Sequence, residues 1–346
     1  MSIIWSDDAV ATAPVWPSHA AYLAECDRAF NTELRLVVNF RAFSPKSPTV
    51  VCVVRNEAIR IEAFIRHYMD LGTSSIHLID NASTDGTGNI AVKCSSSVTV
   101  WHTSASYARA AHGQMWSGGL VRRYGLGHWI LNVDADEFLV YDGMKQHGLA
   151  DLQGLLAKRD QTRLRTPLID MYAGPGASTA KEATPIAQAP YFDSLSPSQV
   201  DSVKSTGVLP TDFGPRARMM RTLNIIHRPN LQKIALARWD RSTAYANVHI
   251  PFPFDQNPLS SQGALLHFKF LRDFADKVNE AVVTGEHWRD GLEYRSYQDW
   301  LALPDRPALY DASNSVLYAG PASLIQSGLL EPLGWKTAQG ADQYPR

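Results

Sequence analysis

Cysteine is scarce in this chain: Cys26, Cys52 and Cys94 are the only three among 346 residues, and none shares a C-x-x-C spacing. An odd, scattered set argues against a disulfide framework or a zinc cluster and fits a reducing compartment. Charge of one sign is equally lacking, since 33 Lys and Arg stand against 34 Asp and Glu. No basic field for nucleic acid follows from that balance. No apolar run approaches the roughly 18 residues of a membrane span. The start, MSIIWSDDAVATAPVW, has no basic stretch followed by an apolar one, so it does not read as a secretory leader. These absences predict a soluble cytoplasmic protein with no transmembrane segment and no nucleic-acid partner; peripheral membrane contact stays open. Also missing are G-x-x-x-x-G-K-[ST], G-x-G-x-x-G and G-x-S-x-G, which leaves P-loop NTPase, dinucleotide oxidoreductase and serine hydrolase without support.

What is present is an alternating pattern. TVVCVVRNEA opens with a β-branched run typical of a buried strand. RIEAFIRHYMDLG follows, with Ile61, Phe64, Ile65, Tyr68 and Leu71 at helical spacing and Gly72 at the stop. SSIHLIDN is a second strand, GNIAVKC a short helix and SVTVWHT a third strand. YARAAHGQMWSGGLVRRYG reads as one long helical stretch, and HWILNV as a fourth strand. Before this series, HAAYLAECDRAF suggests a helix and LRLVVNFRAF a strand. After it, DLQGLLAKRD reads as helix, while TRLRTPLIDMYA, RMMRTLNIIHR and QKIALARW read as strands. GALLHFKFLRDFADKVNEAV joins a short strand to an amphipathic helix. Residues 173 to 215 are rich in Pro, Ser, Thr and Gly, which suggests long loops forming a lid or an acceptor wall. Strands alternating with helices predict an α/β fold with a mainly parallel sheet. Ligands bind such sheets beyond the carboxyl ends of the strands.

Polar residues gather at those ends. Asp134, Asp136 and Glu137 follow the fourth strand in HWILNVDADEFLVYDG. In extended backbone, residues two apart share a side, so the two aspartates are expected to point together and to need a cation between them. An Asp-x-Asp at a strand end suits Mg²⁺ or Mn²⁺ facing a diphosphate. An aspartyl nucleophile and a merely solvated acidic loop are the alternatives. In IDNASTDGTGN, Asp80 either accepts from a nucleoside or braces the turn, and Asp85 caps the next helix. Ala82 and Ala91 stand where a calcium loop needs oxygen ligands, which removes that reading. In VRNEA, Arg55 and Glu57 stand at the mouth of the first strand, where Arg55 either reaches a phosphate or nucleobase or pairs with Glu57 to brace the sheet end. His267 in LLHFKF is a ligand or a satisfied core histidine. Lys269, two residues on, and Arg216 and Arg218 in FGPRARMMR are candidate anion contacts.

Taken in order, VCVVRNEA, IRHYMDLGTSSIHLIDNASTDGT and HWILNVDADEFL resemble the nucleotide-sugar-binding half of glycosyltransferase family 2. The likeness is to the branch with R-N-E, D-N-x-S-x-D-G-T and D-x-D-E-F, related to family 92. QKIALARW and LLHFKFLRDF look like the same branch. The resemblance implies a GT-A-type, Rossmann-like, mainly parallel sheet flanked by helices, with a loop-rich acceptor-side half. On that basis residues 1–47 are an N-terminal extension, 48–143 the nucleotide-sugar-binding half, 144–300 the acceptor-side half of the same domain, and 301–346 a C-terminal tail. It further implies a nucleotide-sugar donor, with a UDP-sugar favoured, a divalent cation (Mn²⁺ or Mg²⁺), and a glycan, lipid or protein acceptor. Asp80 would contact the nucleoside, Asp134 the ribose or metal, Asp136 the metal as its principal ligand, and His267 would be the late metal-binding histidine. The family's Glu-Asp pair that carries the base has no clean counterpart here. Asp193 in YFD and Asp212 in PTDFG are the candidate bases, with Asp240 behind them. A nucleotidyltransferase is a rival reading, although VRNEAIRIE lacks the glycine-rich basic loop that would support it. A silent sugar- or nucleotide-binding protein is the other.

Overall fold

A computed structural model describes residues 18–206, 209–210, 212–226, 229–245, 247–254 and 261–335. Helix α1 (His19–Glu33) starts at Ser18, whose hydroxyl accepts from the Ala21 N–H at 3.1 Å. Strand β1 (Arg35–Val38) follows, then β2 (Thr49–Val54), α2 (Ile61–Asp70), β3 (Ile76–Asn81), α3 (Thr87–Cys94) and β4 (Val98–Thr103). Next come α4 (Gln114–Tyr124), β5 (Trp129–Asn132), β6 (Glu137–Val140) and α5 (Leu149–Lys158). The later part holds β7 (Arg163–Leu164), β8 (Leu168–Asp170), α6 (Pro185–Gln188), β9 (Tyr191–Asp193), α7 (Pro197–Thr206) and α8 (Gly214–Thr222). It continues with β10 (Leu236–Arg238), β11 (Ala244–Tyr245), β12 (Pro251–Phe252), β13 (Ala264–His267), α9 (Phe274–Thr284), α10 (Trp288–Leu301), β14 (Ser315–Leu317) and α11 (Pro321–Gln326).

The main sheet has seven strands in the order β1-β4-β3-β2-β5-β10-β7. Strands β4, β3, β2 and β5 run parallel to one another, while β1 and β10 join antiparallel. Period-2 alternation explains why both faces are covered. From β2, Val50, Cys52 and Val54 enter one core with Phe64, Leu78 and Leu139, whereas Val51 enters another with Cys26, Trp116 and Trp239. Helices α2 and α3 therefore cover one face, and α1 and α4 the other. The contact of α1 with α4 is close because Gly119 lacks a side chain: a Cβ there would lie 2.1 Å from the Cys26 carbonyl oxygen. This is the α/β architecture with a mainly parallel, helix-flanked sheet that the alternating pattern predicts.

A second, three-stranded sheet, β6-β13-β8, shares the first core. In it β13 runs antiparallel to β6 and parallel to β8, so His267 has Glu137 opposite on one side and Asp170 on the other. A third core (Tyr172, Met219, Met220, Phe270, Phe274, Tyr297, Trp300) joins α8, α9 and α10.

Several elements differ from the sequence reading. RMMRTLNIIHR is not a strand: its first residues close α8, which buries Ala217, Met219 and Met220. His227 and Arg228 lie outside the described residues. YARAAHGQMW is helical only from Gln114; Ala111, His112 and Gly113 all have positive φ, 51°, 55° and 77°. A left-handed run of this kind cannot continue a right-handed helix. TRLRTPLIDMYA splits into β7 and β8 around Pro167, which has no N–H to give to a ladder. The helix and strand expected before residue 47 do form, as α1 and as β1 at the edge of the main sheet, and residues beyond 301 supply β14, which pairs with β9. All three cysteines are free. No described helix is long and apolar enough to cross a membrane.

Candidate active site

The carboxyl ends of β2, β3 and β5 and the small sheet converge on the Asp-x-Asp segment. Asn132 ends β5 and donates to Gln114 at 3.0 Å, so strand and helix α4 are tied just before the acids. The chain then turns, with Glu137 N–H donating to the Asp134 carbonyl at 3.0 Å. That turn breaks the two-residue period, so the expected side-by-side pair of aspartates does not form. Asp134 is half-exposed, and its Oδ2 lies 3.5 Å from Lys233 Nζ. Asp136 points to His267 instead, with Oδ2 3.3 Å from Nε2. The Phe268 N–H donates to the Asp136 carbonyl at 2.7 Å, which pins the turn to the end of β13.

Glu137 is buried beneath this turn. It accepts from Lys233 Nζ at 2.6 and 2.7 Å and from the Asp134 N–H at 2.9 Å. Burial pushes its carboxyl up to about 6 against the pull of Lys233. Lys233 is desolvated too, yet Asp134 and Glu137 hold it charged, well above the usual lysine range.

His267 is clamped from both sides. Its Nδ1 lies 2.6 Å from Asp170 Oδ1, and Asp170 Oδ2 accepts from Arg216 Nε at 2.8 Å. The Asp170 contact at Nδ1 turns Nε2 toward Asp136, the ring orientation that carboxylate partners impose on metal-binding histidines. Burial works to raise Asp170, but Arg216 and His267 outweigh it and hold the carboxyl down at about 2. Asp136 is likewise desolvated, and His267, Lys269 and Arg60 keep it well below the ordinary carboxylate range.

The chain of contacts continues outward. Arg216 Nη1 reaches Glu293 Oε1 at 3.3 Å, and the Tyr297 hydroxyl donates to that same oxygen. Lys269 stands over the ring of Tyr294, 4.9 Å from its centroid. Its charge is favoured by Tyr294, Glu293 and Asp136 in spite of burial.

On the β2–β3 side, Asp80 is buried and accepts the Ser83 N–H at 2.8 Å. The N-cap of α3 is Gly86, not Asp85; Asp85, one residue earlier, ties the helix start to the β2 loop, with Oδ1 taking the Thr87 N–H at 3.0 Å and Oδ2 the Ala58 N–H at 2.9 Å. Arg55 and Glu57 do not pair with each other. Arg55 donates to Glu280 at 2.9 Å and to the Asn81 carbonyl at 3.0 Å. Glu57 holds Arg60 at 2.8 Å and Lys277 at 2.5 Å, and Arg60 forks onto Asp273 at 2.5 and 2.6 Å. Helix α9 is thereby fastened to the mouth of β2 by buried and half-buried ion pairs.

Thus Asp136, His267 and Lys269 share one neighbourhood, with Asp134 at its edge. Arg216 enters it as the partner of Asp170 and Glu293. Arg218 instead holds Asp193 at 2.8 and 3.1 Å, and the Tyr172 hydroxyl donates to Asp193 at 2.5 Å. That carboxylate is buried, with both oxygens engaged. Asp212 is exposed, touching Arg221 only through its backbone carbonyl. Asp240 accepts from Ser242 and Thr243 in a local turn. Among the described residues, no group of three or more His, Cys, Asp or Glu side chains is gathered as a metal cage. Asp136 and His267 nonetheless suit one cation: ligands at ~2.1 Å in neighbouring octahedral positions lie about 3 Å apart, close to the observed 3.3 Å.

Asp170, Lys233 and Glu293 escape the sequence reading. Asp170 had a signal, an acid closing the apolar run LID just as Asp80 closes HLID. Lys233 and Glu293 had none, because their partners lie 96 and 77 residues away.

No family model matches the chain, and no curated protein matches it. Among solved structures it is similar to glucosyl-3-phosphoglycerate synthase from Mycobacterium tuberculosis in complex with Mn²⁺, uridine diphosphate and phosphoglyceric acid. Identity there is 16%, the TM-score 0.22, and the match covers 47% of this chain and 49% of that one. The same synthase with Mn²⁺, uridine diphosphate and glucosyl-3-phosphoglycerate gives 16% identity, TM-score 0.22, and coverage of 46% and 50%. The chain therefore spans about half the length of that synthase. A crystal structure described as that of a mycobacterial protein matches 79% of this chain and 78% of its own at 14% identity and TM-score 0.31. Similarity this low assigns neither activity nor substrate.

Proposed function

We propose that the chain is a cation-dependent glycosyltransferase that moves a sugar from a nucleotide-diphosphate sugar to an acceptor hydroxyl, with inversion. The favoured donor is a UDP-sugar; the acceptor is a glycan, lipid or protein. The observation that carries this reading is the meeting of Asp136 and His267 at 3.3 Å beyond the carboxyl ends of a parallel sheet, with His267 oriented by Asp170. The motif order R-N-E, D-N-x-S-x-D-G-T and D-x-D-E-F supports it from the sequence side.

In this reading Asp80, at the end of β3, receives the nucleoside, and Asp134 takes the ribose or turns from Lys233 toward the cation. Asp136 and His267 would hold a Mn²⁺ or Mg²⁺ ion, which would supply charge neutralisation for the departing diphosphate. Lys269 acts on Asp136 through its charge and adds a fixed positive charge where the leaving group gains negative charge. Asp170 and Arg216 keep the imidazole in place, so the site does not reorganise as charge moves. Arg55 and Glu57, committed to Glu280, Arg60 and Lys277, hold the loop at the mouth of β2 and meet the donor only through that loop. Inversion follows from a single displacement without a covalent sugar–enzyme step.

The test is a thermal-shift panel of UDP, GDP and dTDP, each with Mn²⁺ or with EDTA, on native protein and on Asp136→Ala. A nucleotide at about 100 times its dissociation constant adds roughly 2.7 kcal/mol. One nucleotide that stabilises the native protein only with Mn²⁺, and does not stabilise Asp136→Ala, is the expected outcome. Stabilisation by nucleoside triphosphates alone would move the assignment to a nucleotidyltransferase.

A further inference from the structure

Within the glycosyltransferase reading, we infer that Glu293 is the group that accepts the proton from the attacking hydroxyl. The two acids that the sequence offered for this role are unsuited to it: Asp193 is buried with both oxygens engaged, and Asp212 is an exposed turn residue. Asp170, the acid nearest His267, also commits both oxygens, one to His267 and one to Arg216. Glu293 differs. Its contacts with Arg216 and Tyr297 both fall on Oε1, which leaves Oε2 without a partner among the described residues, and the side chain is 26% exposed.

Its position fits the role. Four contacts lead from Glu293 through Arg216, Asp170 and His267 to Asp136, so the carboxylate is held by the same framework as the proposed cation ligands, on its α10 side. Lys269 feels both Glu293 and Asp136, and therefore lies within the field of each. Tyr294, on the same helix, presents its ring and hydroxyl to Lys269.

The step balances as follows. The acceptor oxygen forms a bond to the anomeric carbon while the bond from that carbon to the phosphate oxygen breaks. The electron pair of the broken bond leaves with the nucleoside diphosphate. The acceptor O–H proton passes to Glu293 Oε2, and Arg216 and Tyr297 fix the other oxygen. Burial works to raise this carboxyl, but Arg216, Lys269 and Tyr297 outweigh it and hold it ionised, so the transfer comes late, once the acceptor oxygen carries positive character and is a strong acid.

The experiment measures nucleotide release from UDP-glucose, UDP-galactose and UDP-N-acetylglucosamine with Mn²⁺, with water as acceptor, alongside UDP–Mn²⁺ affinity by calorimetry. Native protein is compared with Glu293→Gln, which keeps an acceptor for Arg216 and Tyr297, and with Glu293→Asp. The expected result is a loss of turnover of about 100-fold or more in Glu293→Gln with UDP affinity nearly unchanged. Glu293→Asp should retain a measurable part of the rate. Turnover within about threefold of native in Glu293→Gln overturns the assignment alone. So does a Gln variant that loses UDP affinity together with turnover, since the side chain is then structural. Native protein that binds UDP but hydrolyses none of the three sugars overturns it as well, because a free carboxylate at the transfer point activates water. Native protein that binds no nucleotide sinks the glycosyltransferase reading first and this assignment with it.

Discussion

Asp170 Oδ1 lies 2.6 Å from His267 Nδ1, across adjacent positions of two parallel strands. The contact decides which imidazole nitrogen faces Asp136. Asp170→Asn should weaken Mn²⁺ affinity by about 10- to 100-fold, as loss of a carboxylate behind a metal-binding histidine does. It also strips Arg216 of its closest partner, at a cost of up to about 3–5 kcal/mol. Manganese titration followed by electron paramagnetic resonance reads the first effect, and urea denaturation the second. Unchanged Mn²⁺ affinity would show that His267 is a core histidine.

The Lys233–Glu137 pair is a separate test of the acid turn. Both side chains are buried, and Lys233→Met leaves Glu137 without its cation. A lone buried carboxylate costs about 3–5 kcal/mol, whereas a double replacement by apolar residues of similar size costs far less. Urea denaturation of Lys233→Met and of Lys233→Met/Glu137→Leu should therefore rank the double variant as the more stable. The reverse order would mean that the pair carries net stabilisation of its own.

Acid stability follows from histidines held neutral. Burial pushes His67 and His77 down to about 4; His67 meets the Leu139 carbonyl and His77 the Arg41 carbonyl. Both take up a proton more readily when unfolded, near 6.5. Their contribution is thus intact above about pH 6.5 and is lost as pH falls toward 4, by roughly 1.4 kcal/mol per pH unit for each. Urea midpoints measured from pH 7 to 4.5 should fall, and His67→Gln should flatten the decline. A flat native profile over that range would contradict the burial of both rings.

Gly113 tests the turn that interrupts the expected long helix. Its φ is +77°, and a Cβ there would lie 2.9 Å from Val53 Cγ2. Gly113→Ala should destabilise the protein by about 1–3 kcal/mol, from backbone strain and the clash with β2. The same change at Gly154, which has open space around it in the middle of α5, should be neutral or mildly stabilising. Equal effects at the two sites would contradict the left-handed conformation at 113.

The half of the chain that carries β2 to β5 was legible because its signals are local. β-branched runs, a 3.6-residue period and strand-terminal acids all fall within windows of about ten residues. Asp80, Asp134 and Asp136 were visible for that reason. The orientation of the two aspartates was not, since a single turn between Asp134 and Glu137 sends them to different partners. RMMRTLNII was misread because Met219 and Met220 are buried by α9 and α10, a tertiary effect that adjacent apolar residues mimic as strand. Arg216 and Arg218 shared an expected role, yet one supports His267 and the other closes on Asp193. Nothing in their neighbouring residues distinguishes them.

Strand β13 has a consequence for how the site comes into being. His267 is flanked in register by Glu137 and Asp170, which stand 130 and 97 positions earlier. A shift of one residue in that strand would turn His267 to the other face and put Leu266 or Phe268 in its place. The proposed cation site therefore has no partial form along the chain. It requires a late segment to sit between two earlier ones, so the same hydrogen-bonded ladder that completes the small sheet also brings the proposed ligands together.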